Sequence, residues 1–208
     1  LTAPNVDALK KGLPNLEKHL GNVKKYNIVP VIAINKFTTD DDAEIEVIRE
    51  FAAAQNIKVA VAEVWAKGGK GALELAQCLI DVVESGKSNF QPLYAWNSPV
   101  EEKIATIAKE IYGANEVEYT AQAKAHLKRI TDLGLNDLPI CMAKTQKSLS
   151  DDATLIGRPT NFSITIREIE IAAGAGFLVP ITGTIMRMPG LPAHPSSEGI
   201  DVNEKGEI

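Results

Sequence analysis

Apolar positions along this chain fall into two kinds of run, and the change from one to the other marks its parts. Val6, Leu9, Leu13, Leu16, Leu20 and Val23 recur at alternating steps of three and four, one apolar face of a helix. Pro14 interrupts that face. A proline removes a helical hydrogen bond and crowds the preceding turn. The pattern therefore predicts a break near Gly12, with Pro14 in the first turn of a second helix, Asn15 to Tyr26. Ile28 to Ile34 and Ile57 to Val64 are different: short, nearly unbroken and rich in β-branched residues. Such runs read as strands of a parallel sheet, buried on both faces. Pro30 belongs near the start or edge of the first strand. Between them, Asp40 to Gln55 reads as a helix. Asp40, Asp41 and Asp42 supply an N-cap and acids that suit the helix dipole, with Ile45, Ile48, Phe51 and Ala52 on its apolar face. After the second strand, Gly68-Gly69-Lys70-Gly71 precedes an amphipathic helix with Ala72, Leu75, Ala76, Leu79, Ile80 and Val83 on one face.

Ser85 to Pro99 is irregular and rich in turn residues, and divides the chain into 1–97 and 98–208. Two helices follow, Val100 to Tyr112 and Thr120 to Leu133, stopped by Gly113 and Gly134. Ile140 to Ala143 reads as a short strand, and Lys144 to Pro159 as a long polar loop. Phe162 to Ile166 alternates cleanly, then parity switches at Glu168-Ile169, which suggests a bulge. Ala172 to Gly176 is a turn and Phe177 to Ile181 a hairpin strand. Ile185 to Met188 is a further short strand or turn, and the proline-rich end from Pro189 an extended surface tail. The fold class is α/β: a parallel-strand unit similar to P-loop NTPases, then a smaller α+β part with a C-terminal hairpin and tail.

Composition narrows the function classes. The chain has 208 residues and a net charge of −5, and no basic patch with interleaved aromatics, which argues against nucleic acid. No apolar run is long enough to span a membrane, and no signal peptide is expected. Cys78 and Cys141 lie far apart in apolar contexts and read as buried thiols in a reducing, cytoplasmic compartment. His19, His126 and His194 are scattered, so no metal site is expected. The first residue is Leu rather than Met, which suggests a fragment or a processed chain.

Chemistry concentrates at the ends of the two apolar strands, where open α/β sheets bind ligands. Asn35-Lys36 is similar to the NKxD base-recognition loop of GTP-binding proteins, but Thr38 stands where the guanine-reading Asp would be. Trp65-Ala66-Lys67 lies where those proteins carry a second base-contacting loop, SAK. An Asn amide can bond an adenine edge, and the rings of Phe37 and Trp65 could stack a flat heterocycle. A core role is the competing reading, stronger for Phe37 than for Trp65. The GGKG segment lacks the GxxxxGK[ST] spacing and hydroxyl of a phosphate-cradling loop. Lys144 and Lys147, in the polar loop, could meet an anionic substrate or merely be solvated, and the two readings stand level.

The segments GLPNLEKH, VIAINKFTTD, VWAKGGKGALELA, IAKEIYGA, LPICMAKTQKSLSDD, IGRPTNFSITIREI and ITGTIMRMPGLP, in this order, resemble the C-terminal part of formate–tetrahydrofolate ligases. The resemblance implies joining of formate to tetrahydrofolate with ATP and magnesium, giving 10-formyltetrahydrofolate, ADP and phosphate through formyl phosphate. It implies that Phe37 and Trp65 stack the flat ring of a bound ligand; joined to the residue reading, this gives a ring site at Asn35, Phe37, Trp65 and Lys67, with Lys36, Ala66, Lys144 and Lys147 as weaker members. It puts the phosphate grip and every catalytic residue outside these 208 residues, leaving the chain inactive alone. The expected partners are small-molecule substrates, the N-terminal part of the same enzyme and further copies in a homo-oligomer. The alternative is a non-catalytic α/β binding or assembly module.

Overall fold

The computed structural model describes residues 3–185, 194–201 and 203. Helix α1 (Val6–Lys25) opens with the Asn5 side chain accepting from the Ala8 N–H, and ends with Lys24 and Lys25 in its last turn, where cations suit the dipole. The break expected near Gly12 does not occur, and Pro14 sits inside one continuous helix. Lys10, Lys11, Gly12 and Pro14 are all exposed, so the carbonyl that loses its donor can turn to solvent. Leu16 and Leu20 meanwhile pack against Ile32, Ala52 and Ile57 and hold the axis.

Strands β1 (Val31–Asn35) and β2 (Lys58–Ala62) pair in parallel, Val31 opposite Lys58 and Asn35 opposite Ala62. Pro30 lies just before β1, where no ladder donor is needed. Helix α2 (Asp42–Ala54) joins the strands, with Asp41 as N-cap accepting from the Ala43 N–H. The expected burial on both faces is only half met. Ile32, Ala60 and Ala62 are buried, but Ala33 and Asn35, which share the face of β1 opposite Ile32, are exposed.

After β2 the glycine-rich segment is closed up into two tight turns. Val64–Lys67 forms a helical turn, α3, and Gly68–Ala72 a 3-10 turn, which lead into α4 (Leu73–Glu84). The buried residue of α4 is Val82, whereas Val83 is 75% and Leu73 68% exposed, with Leu79 and Ile80 about half exposed. The apolar stripe read from sequence is thus largely uncovered.

Helix α5 (Val100–Thr106) continues as a π-helical turn, Ile107–Tyr112, and Gly113 closes it in the left-handed conformation. Strand β3 (Glu116–Tyr119) was not anticipated: four residues with two glutamates carry too little pattern. It pairs in parallel with β4 (Ser163–Ala172), and β4 pairs antiparallel with β5 (Phe177–Thr182). Helix α6 (Ala121–Asp132), capped by the Thr120 hydroxyl, lies between β3 and β4 in the chain. The parity switch is a register shift between Ile166 and Glu168. It lets Ile164, Ile166 and Ile169 all join a core with Ile104, Leu127 and Leu178.

Ile140–Ala143 makes isolated bridges to β5 rather than a full strand, and it leaves Cys141 exposed, not buried. Cys78 is half-buried. Most of Ile185–Met188 and much of the tail lie outside the described residues; within the tail, Ser196–Gly199 forms a 3-10 turn. Lys103 is a buried cation that the pattern could not reveal. It donates to the carbonyls of Asn136 (2.7 Å) and Leu138 (3.3 Å) and lies over the Tyr94 ring. Among the described residues no helix is long and apolar enough to cross a membrane.

Candidate functional site

The carboxyl ends of β1 and β2 place Lys36-Phe37 beside Glu63 to Ala66. The Lys36 N–H donates to the Ala62 carbonyl (2.9 Å), which extends the ladder one residue past β1. The Trp65 indole N–H donates to the Lys36 carbonyl (3.1 Å) and ties the second strand end to the first. Phe37 and Trp65 then stack, ring centroids 5.9 Å apart and planes 20° from parallel. Phe37 is 49% and Trp65 56% exposed, which excludes the core reading for both. Rings left half in water, at strand ends, form an apolar face on which a flat ring can dock.

The two rings line a cleft of about 280 Å³ together with Lys36, Ala66, Asp40, Asp42 and Glu63. Asn35 and Lys67 are not among its walls: Asn35 is the last residue of β1, and Lys67 turns back to pair with Glu63. Lys144 and Lys147 line a different cavity. Sequence reasoning missed the carboxylates of this cleft. Asp40 to Asp42 do start α2, but Asp40 also accepts from the Phe37 N–H (2.8 Å) and fixes the turn that presents the ring. A signal was available in the position of three acids within five residues of Phe37.

The cleft is acidic. Its one lining lysine, Lys36, lies 2.6 Å from Asp42. That hydrogen bond raises the Lys36 pKa and holds the Asp42 carboxyl below its ordinary range. Asp40, Asp41 and Glu63 add three more carboxylates.

Close packing, not phosphate cradling, accounts for the last glycine of GGKG. The Glu63 N–H donates to the Gly71 carbonyl (3.0 Å), and a Cβ on Gly71 would stand 2.5 Å from the Glu63 carbonyl oxygen. A side chain at 71 would push away the strand end that carries Trp65. Among the described residues no group of three or more His, Cys, Asp or Glu could hold a metal ion.

A profile of formate–tetrahydrofolate ligase matches residues 1–208. The match takes in both strand ends with their stacked rings, the acidic start of α2 and the polar loop before β4. The chain belongs to the formate–tetrahydrofolate ligase family, whose members are carbon–nitrogen ligases.

Proposed function

We propose that this chain supplies the ring-binding wall of an ATP-dependent ligase that joins formate to tetrahydrofolate and releases ADP and phosphate. The observation that carries the reading is the exposed Phe37–Trp65 stack inside a carboxylate-lined cleft. The carboxylates favour a ring whose edge donates. A pterin offers a ring N–H beside an amino group, two donors that fit one carboxylate in parallel. An adenine edge sets a donor next to an acceptor, and a carboxylate repels the acceptor. Phosphates are repelled as well, since the cleft holds four carboxylates and one lysine. The tetrahydrofolate ring, not the nucleotide, is therefore our assignment for the clamp.

On this reading the ATP phosphates and their magnesium are held elsewhere. GGKG has neither the length nor the hydroxyl for that task, and Gly71 is already committed to Glu63. When bound, magnesium would neutralise charge on the transferring phosphoryl group. The partner we infer is the phosphate-holding part of the same enzyme, in a P-loop NTPase-like arrangement. The open sheet edges and the uncovered α4 face of Leu73 and Val83 support it. We keep 1–97 and 98–208 as the two units and a cytoplasmic homo-oligomer as the working form.

Trp65 fluorescence tests the assignment, with Trp96→Phe as background because Trp96 is also exposed. Tetrahydrofolate should quench it saturably and ATP should not. Trp65→Ala in the complete enzyme should weaken folate binding by about 1–3 kcal/mol, the worth of one stacked base, and leave ATP affinity unchanged. Quenching by ATP alone would reassign the clamp to adenine. Quenching by neither would leave the non-catalytic module.

A further inference from the structure

The second cavity, about 290 Å³, lies where α1 meets the polar loop. Its lining includes Asn15 and His19 from successive turns of α1, Tyr112, and Gln146 and Lys147 of the loop, and it contains no Asp or Glu. That is unusual in a chain with 27 acids against 22 lysines and arginines, and it is the reverse of the ring cleft.

Lys144 and Lys147 have opposite parts in it. The Lys144 ammonium donates to the carbonyls of Thr145 (2.9 Å), Ser148 and Ser150 (3.0 Å), and it faces the Tyr112 ring at 5.1 Å. An ammonium has three donors, so all are used within the loop. Burial lowers its pKa, against the opposing effect of Asp151. Lys144 is thus the internal pin that shapes the loop. Lys147 is exposed, and among the described residues no ion pair involves it. More cations stand close by. Arg158 pairs with Glu17 at 2.8 Å. Lys18 donates to the Glu110 carbonyl, and its pKa is lowered by burial first and then by Lys25 and Arg158.

We propose that this cavity is an oxyanion-binding site, separate from the ring cleft, in which Lys147 and His19 donate to a carboxylate or phosphoryl group and Lys144 positions the loop. A lysine without an ion pair among the described residues, an imidazole and two side-chain amides in the lining of a hollow whose walls hold no Asp or Glu suit a charge-assisted contact.

The test is an NMR titration of the whole chain with inorganic phosphate and, separately, with glutarate, using sodium chloride at matched ionic strength as control. Saturable shifts at Gln146, Lys147 and His19 are expected. Tighter phosphate binding would identify a phosphoryl group as the natural ligand, and tighter glutarate binding a carboxylate-bearing tail. Lys147→Ala and His19→Gln should each weaken binding about tenfold, the loss expected for one charge-assisted hydrogen bond. Lys124→Ala, on α6, should change nothing. Lys144→Met should abolish saturation while the shifts of β4 and β5 stay in place. Shifts no larger than those from chloride, or a Lys147→Ala titration equal to wild type, would overturn the proposal. Because the readout is remote from Trp65, failure here leaves the clamp assignment standing, and the converse holds too.

Discussion

The Tyr119 hydroxyl is buried without a protein partner among the described residues. A buried donor left unmade costs about 1–3 kcal/mol, so Tyr119→Phe should raise stability by about 1 kcal/mol in urea denaturation. Tyr112 carries a related expectation for pH. Desolvation, with smaller contributions from Cys141 and Tyr26, pushes its phenol up to about 12 from an ordinary value of 10. The folded pKa exceeds the unfolded one, so the unfolded chain releases this proton first. The stability it contributes is complete below pH 10 and is lost as pH rises toward 12. Denaturation midpoints measured across that window should fall for the wild type, and the slope should be shallower in Tyr112→Phe. The ring pair bears on binding at the same scale. A heterocycle between Phe37 and Trp65 needs about 7 Å, two van der Waals separations of about 3.5 Å, against the 5.9 Å seen. With Trp65 held by the Lys36 carbonyl, the proposed clamp would admit a ligand by movement of the Phe37 ring.

Helix α1 illustrates how an element overrides a local rule. A proline inside a helix costs about 3 kcal/mol, yet α1 runs unbroken through Pro14 because Leu16 and Leu20 are anchored in the first core. Pro14→Ala should return part of that cost, about 1–3 kcal/mol, since alanine also frees the unfolded chain. Chemical denaturation followed by circular dichroism would measure it, and an unchanged midpoint would mean that α1 frays before the core unfolds. The turn from β2 into α4 shows the opposite balance. Three glycines in four residues have little helical preference of their own, but backbone bonds from Glu63 and Lys67 fold the segment into two tight turns. The aromatic pair therefore rests on a fixed frame on the Trp65 side.

For the whole molecule, the expectation is that these residues do not turn over substrate. Phosphoryl transfer to formate requires the γ-phosphate to be held in line with its charge neutralised, and the ring cleft is acidic. Formate-dependent ADP release, with magnesium, ATP and tetrahydrofolate supplied to material of verified mass, should be at background. Turnover in the ordinary range of about 1–10³ s⁻¹ would mean that a phosphate site exists among these residues. Restoration by the proposed phosphate-holding part added in trans would tie the loss to an absent phosphate site and not to misfolding. The same experiment should shield Val83 and Leu73, which are now largely exposed, and hydrogen exchange in α4 would register it.

Local chemistry was legible wherever a short-range cause acts alone. The capped start of α2, the glycine stops after Tyr112 and Leu133 and the parity switch at Glu168 all follow from neighbours within a few residues. The adjacency of Phe37 and Trp65 was legible too, because consecutive parallel strands put their carboxyl ends side by side. Other features depend on groups distant in the chain. For Lys144 the substrate-facing and solvated readings stood level, and the folded loop gives a third outcome by wrapping its carbonyls around the ammonium; the burial of Lys103 likewise depends on the carbonyls of the 136–138 turn. Strand β3 exists because β4 offers it a partner some 50 residues later. Pattern along the chain fixes which face a residue presents; only the tertiary structure decides what meets that face, because burial, desolvation and charge pairing are properties of the neighbours that folding brings.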